Sequence, residues 1–208
     1  LRYRNRTGKG QRVELPQIES VVNVLGTAVP GFLANGENAM RGGNRSPIAA
    51  PHGAFRCADD PGSVNAPDRW IAIACKTDEH WRATAQALGH AEAADDATFA
   101  TFEARKAHED EIEALLATWL SGRRAEDVME ALQARGVPAG VVQNSQDVLD
   151  RDPHMRARDY YQYLDHPETG RAAYDGPGAR LSATPGYLAA PAPLLGEHTM
   201  EVCERIIG

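Results

Sequence analysis

Residues 69–81 read Arg69-Trp70-Ile71-Ala72-Ile73-Ala74-Cys75-Lys76-Thr77-Asp78-Glu79-His80-Trp81. Residues 70–74 are an apolar run rich in strand formers, which predicts a β-strand. Thr77 has the short hydroxyl side chain that caps a helix, and the pattern behind it predicts a helix to Leu88, stopped by Gly89. Upstream, residues 54–57 read as another strand. The Asp-, Pro- and Gly-rich segment 58–67 between them favours an antiparallel hairpin. Downstream, residues 102–121 predict a helix with Ile112, Leu115, Leu116, Trp119 and Leu120 on its buried stripe. Residues 124–135 predict a further helix ended by Gly136, and 137–142 lead into a strand. Residues 54–150 are therefore expected to form a compact α/β unit.

The flanks read differently. Residues 1–6 resemble the last turn of a helix, with arginines suited to its negative end. Residues 12–15 alternate enough for a short strand. A helix is expected from Gln17 to about Val29, with Ile18, Val21, Val22 and Leu25 on one stripe and Pro30-Gly31 bending or stopping it. Residues 36–53 lack periodicity and read as a long loop. Beyond 150, the Tyr-rich segment 159–165 and residues 172–174 predict a hairpin around the turn His-Pro-Glu-Thr-Gly-Arg. A proline-rich extended stretch follows, then a short helix over about 197–207.

The chain has 208 residues, 42% of them hydrophobic and 25% charged. That is the make-up of a globular protein and excludes disordered and collagen-like classes. Its net charge of −7 argues against a general nucleic-acid binder. No apolar run approaches a membrane span, and no apolar segment behind the basic start suggests a signal peptide. The three cysteines are widely spaced, form no zinc-like pattern and fit a reducing cytoplasm. The acidic segment 92–113 reads as a solvated helix face. Leu1 opens the sequence in mid-pattern, so a piece of a longer chain is expected.

No nucleophile elbow, phosphate-binding loop, dinucleotide fingerprint or HExxH motif is present. His80, His90 and His108 suit solvated or satisfied roles, and His198 a capping or packing role. The best local candidate is the loop containing Arg45, Ser46, Pro47, Ile48, Ala49, Ala50 and His52. Its small residues let a backbone approach a ligand closely, and Arg45 adds positive charge. Taken alone, the same residues also read as a plain interdomain linker.

An ordered set of stretches goes further. RTGKGQRVEL (6–15), GNRSPIAAPHGAF (43–55), RWIAIACKTDEHW (69–81), RGVPAGVVQNSQDVLDRDPHMRAR (135–158) and APLLGEHT (192–199) resemble the class III CoA-transferases, the group of formyl-CoA:oxalate and carnitine CoA-transferases. DHPETGR (165–171) and GPGARLSATP (176–185) also fit. The resemblance implies an α/β fold with a Rossmann-like large domain, a smaller α/β domain and two chains interlocked as a homodimer. This chain would be the second half. Residues 1–53 would end the first part of the large domain and supply a linker with the active-site loop. Residues 54–145 would be the small domain, and 146–208 a return linker and a C-terminal segment packing on the large domain.

The chemistry implied is covalent catalysis by an aspartate, which forms an aspartyl-CoA thioester on the way from an acyl-CoA to a carboxylic acid. By position that Asp lies upstream of this chain, so no catalytic residue is expected here, and Asp59, Asp60, Asp68 and Asp78 are not promoted to the role. CoA and acyl-CoA would be substrates, with no cofactor, metal, nucleic acid or membrane partner. The family's glycine-rich lid maps onto Ser46–Ala50, where Ser, Pro, Ile and Ala replace glycines. A loop so stiffened argues against the formyl/oxalate pair. The resemblance also extends to α-methylacyl-CoA racemases, which place a Glu where this chain has Thr77. That branch and a non-catalytic remnant or dimerisation module are the alternatives.

Overall fold

The strand predicted at 70–74 lies in the middle of a three-stranded antiparallel sheet. It is flanked by β1 (His52–Arg56) and β3 (Ala139–Val141), so that β2 (Trp70–Ala74) pairs with both. Phe55 stands opposite Ile71, and Ile71 opposite Val141. The computed structural model describes residues 1–38, 40–62 and 68–207. Residues 63–67 of the predicted hairpin turn lie outside the described residues, as do Ala39 of the predicted long loop and Gly208.

The chain divides into two compact units, Leu1–Ser46 and Pro47–Gly208. In the first, α1 (Arg2–Thr7), α2 (Gln17–Val24) and α3 (Ala28–Asn35) bury no residue, and Ile18, Val21, Val22 and Leu25 are exposed. The single helix expected from Gln17 to about Val29 is broken at Gly26, whose left-handed backbone (φ 55) ends the turn. Pro30 does not stop a helix. It sits in the first turn of α3, where its missing N–H costs nothing. The strand expected at 12–15 does not form: these residues are irregular.

In the second unit, α4 (Asp78–Ala87) is capped by the Thr77 hydroxyl, which accepts from the His80 backbone N–H at 3.2 Å. The helix expected over 102–121 is two helices, α5 (Phe102–Ala107) and α6 (Glu109–Leu120), interrupted at the non-helical His108. Arg105 and Lys106 lie in the last turn of α5, and Glu109, Asp110 and Glu111 in the first turn of α6. Each charge thus complements the helix end beside it. Helix α7 (Ala125–Gln133) ends before Gly136, which is left-handed (φ 77) and returns the chain to β3.

Ile112, Leu116 and Leu120 pack fully buried against the sheet, each worth about 1.5–3 kcal/mol of burial. They share that core with Trp81, Leu88, Val128 and Leu132. Cys57 and Cys75 lie inside it, and burial raises both thiols to about 11. Cys203 is exposed. An aromatic-disulfide reagent is therefore expected to modify Cys203 quickly in the native protein and the other two only on unfolding. Fast reaction of all three would contradict this packing.

Beyond β3, a π-helical turn (Asp147–Arg151) and α8 (Pro153–Ala157) lead to the predicted hairpin, now β4 (Tyr161–His166) paired with β5 (Gly170–Asp175). Sequence reading missed α8, although Asp152 before Pro153 is a helix-start signature. The Asp152 carboxylate accepts from the His154 and Met155 N–H groups. The C-terminal helix expected over about 197–207 forms as α9 (Thr199–Val202) followed by a π-helical turn. No described helix is long and apolar enough to cross a membrane.

Candidate functional site

The loop singled out from sequence divides at its middle. Arg45 and Ser46 close the Leu1–Ser46 unit, where the Arg45 N–H donates to the Gly42 carbonyl at 3.1 Å. Pro47 to His52 belong to the other unit. There Ile48 is 68% exposed, whereas Ala49 and Ala50 are buried. His52, half-buried, opens β1 opposite Ala74.

The buried end of the loop is held from several directions. The Ala50 N–H donates to the Cys75 carbonyl at 3.0 Å, and the Cys75 N–H donates to the Pro51 carbonyl at 2.9 Å. The Ala50 carbonyl accepts from Arg105 Nε at 2.7 Å. Arg105 is fully buried, and its other nitrogens donate to the Phe99 carbonyl (2.9 Å) and to Asp78 Oδ1 (2.8 Å). Sequence reading placed Arg105 in an acidic, solvated run. Its burial depends on partners brought in by the fold, and nothing in its local pattern announces it.

Each of the four aspartates set aside as nucleophiles is paired with an arginine. Arg56 binds Asp59 (2.9 Å) and Asp68 (3.0 Å), Arg151 binds Asp60, and Arg105 binds Asp78. The arginines engage one oxygen each of Asp59, Asp68 and Asp78, whose side chains stay about half exposed.

A second cluster was not foreseen. Arg69, buried just before β2, donates to Asp147 Oδ2 at 2.5 Å and to Glu126. Asp147 also accepts the Asn144 N–H (2.9 Å) and a longer contact from Arg151 (3.3 Å). Arg69, Glu126, Asp147 and Arg151 border a cavity of about 700 Å³ that also reaches Asp60 and Val141. Residues 45–52 do not line it. The one available signal was the i,i+4 spacing of Asp147 and Arg151.

The cluster has a pH signature. The hydrogen bond from Arg151, helped by the Gly62 N–H, holds the Asp60 carboxyl below its ordinary 3.8. Burial pushes Glu126 up, but the Arg69 hydrogen bond and a backbone N–H at the start of α7 outweigh it and hold Glu126 below 4.5. Folded values below the unfolded ones give stabilisation that is complete above about pH 4.5 and lost as pH falls through the depressed values. Acid unfolding followed by circular dichroism should therefore set in below about pH 4. A midpoint above pH 5 would show that these pairs do not govern acid stability.

Comparison with known proteins places this architecture. The model for CoA-transferase family III matches residues 1–199. A succinyl-CoA–D-citramalate CoA-transferase of Chloroflexus aurantiacus is 33% identical over 100% of this chain and 50% of its own length. The beta subunit of a succinyl-CoA–L-malate CoA-transferase from the same organism is 30% identical, again over 100% and 50%. The crystal structure of a CAIB/BAIF family protein from Brucella suis superposes with a TM-score of 0.80 at 28% identity, covering 96% of this chain and 49% of that one. The chain thus spans about half the length of the curated relatives it matches.

Proposed function

The chain belongs to CoA-transferase family III, and on that premise we propose that it is the C-terminal half of an enzyme that moves CoA from an acyl-CoA thioester to a carboxylic acid. The observation that carries this reading is the family match across residues 1–199, joined by relatives named for CoA transfer from succinyl-CoA. Those names favour succinyl-CoA as donor and a short dicarboxylic acid as acceptor.

The proposed reaction begins with an aspartate outside this chain. Its carboxylate oxygen attacks the thioester carbonyl and expels CoA thiolate, leaving a mixed anhydride. The thiolate attacks the aspartyl carbonyl, releasing the donor acid and forming aspartyl-CoA. The acceptor carboxylate then attacks that thioester, CoA thiolate departs, and its attack on the acceptor acyl carbon yields the new acyl-CoA and restores the aspartate. In this reading residues 54–145 are the small domain and 146–208 return to the large one. The loop of Arg45, Ser46, Pro47, Ile48, Ala49, Ala50 and His52 covers the reacting groups, and two chains interlock as a cytoplasmic homodimer.

Thr77 bears on the racemase alternative. Its hydroxyl caps α4, and it supplies no carboxylate where the racemases place a Glu. The test is an assay of the full-length enzyme with succinyl-CoA and a panel of short dicarboxylic acids, run in parallel in deuterated water. The proposal expects a new acyl-CoA and free succinate. Deuterium at the α-carbon without CoA transfer would favour the racemase branch. Residues 1–208 alone are expected to show no turnover, and measurable transfer by that chain would place the nucleophile within it.

A further inference from the structure

The geometry points to Arg105 as the positioning residue of the 45–52 loop. Its guanidinium grips the Ala50 carbonyl and keeps the inner end of the loop seated. The catalytic consequence rests on the reading of that loop as the cover over the reacting groups.

Burying a guanidinium carries a large desolvation penalty, and an apolar side chain of similar size usually fills such a space at less cost. Arg105 is nonetheless fully buried. Its donors go to three separate segments: the Ala50 carbonyl at 2.7 Å, the Phe99 carbonyl at 2.9 Å and Asp78 Oδ1 at 2.8 Å. Two of these acceptors are main-chain carbonyls, so the bonds fix backbone position whatever side chains stand there. The grip on Ala50 is doubled by its own N–H, which donates to the Cys75 carbonyl. Two residues earlier Ile48 is out at the surface. The inner end of the loop is thus held through both polar groups of Ala50, and that hold sets how residues 47–50 are seated.

A loop that covers an acyl anhydride or thioester keeps water from its carbonyl carbon. Water attack there releases the carboxylic acid, and the leaving group departs as CoA thiol or as the partner acid. The ratio of hydrolysis to transfer therefore reports how well the loop is seated.

The experiment compares the full-length enzyme with its Arg105→Gln, Arg105→Lys and Asp78→Asn variants, using succinyl-CoA and a short dicarboxylic acid. Free CoA and the new acyl-CoA are measured in the same reaction, and hydrogen exchange is followed across the chain. Arg105→Gln is expected to raise the hydrolysis-to-transfer ratio about tenfold and to speed exchange in peptide 45–52, leaving β2 and α6 unchanged. Arg105→Lys should recover part of the loss. Asp78→Asn, which keeps both carbonyl bonds, should show a smaller rise. A folded Arg105→Gln enzyme with wild-type ratio and exchange overturns the proposal. If that variant does not fold, the other two decide. Faster exchange confined to 45–52 supports the clamp, and exchange raised throughout the unit overturns it. A wild-type enzyme that transfers no CoA sinks the transferase reading instead, and the exchange comparison still decides whether Arg105 holds the loop.

Discussion

Replacing Arg69 with Met should destabilise the Pro47–Gly208 unit by about 3–5 kcal/mol. Arg69 and Asp147 are both buried, so the substitution strands the Asp147 carboxylate away from water with its strongest partner gone. It also frees Glu126 at the start of α7. Three segments distant in sequence, the residues before β2, the start of α7 and the π-helical turn, lose their common anchor. Urea unfolding should show a lower midpoint with an unchanged slope. Adding Asp147→Asn to the Arg69→Met background removes the stranded charge and should recover part of the loss. A cost below about 1 kcal/mol would mean that the pair is screened like a surface salt bridge.

Trp81→Ala should cost a similar amount, about 3–5 kcal/mol, by a different mechanism. Trp81 is fully buried, with its ring edge-on to Phe99 (6.1 Å between centroids) and stacked against Trp119 (6.0 Å). Trp119 in turn stacks on His90 at 4.1 Å. Removing the indole leaves a large hole beneath α4 and α6 and unseats this row of rings. Trp81→Phe keeps most of the apolar volume and loses the Nε1–H bond to the Ala93 carbonyl, so about 1–2 kcal/mol is expected. Equal costs for the two variants would show that the cavity is not what matters.

The contrast between legible and hidden parts of this chain follows the range of the interactions. The Thr77 cap, the left-handed Gly136 and the apolar run of β2 act within a few residues, and all three could be read directly. The break at His108 was missed because the apolar stripe from Ile112 to Leu120 continues the pattern of α5 without an obvious breaker. The buried arginines were missed for a different reason. Arg105 meets Ala50 across 55 residues, and Arg69 meets Asp147 across 78. Neither separation leaves a local periodicity. A charged side chain reads as surface until the fold supplies the partners that let it be buried. The candidate loop was legible as a composition, small residues beside an arginine, but its division into an exposed Ile48 and a buried Ala49-Ala50 was not.

The claim on which the account depends is that this chain shapes and covers a site whose attacking carboxylate is encoded outside it. The full-length enzyme, held with succinyl-CoA in the absence of acceptor and then treated with hydroxylamine, should carry a hydroxamate at one aspartate, located by peptide mass mapping. This aspartate is expected to lie outside residues 1–208. A hydroxamate on Asp59, Asp60, Asp68, Asp78 or any other carboxylate of this chain would contradict it.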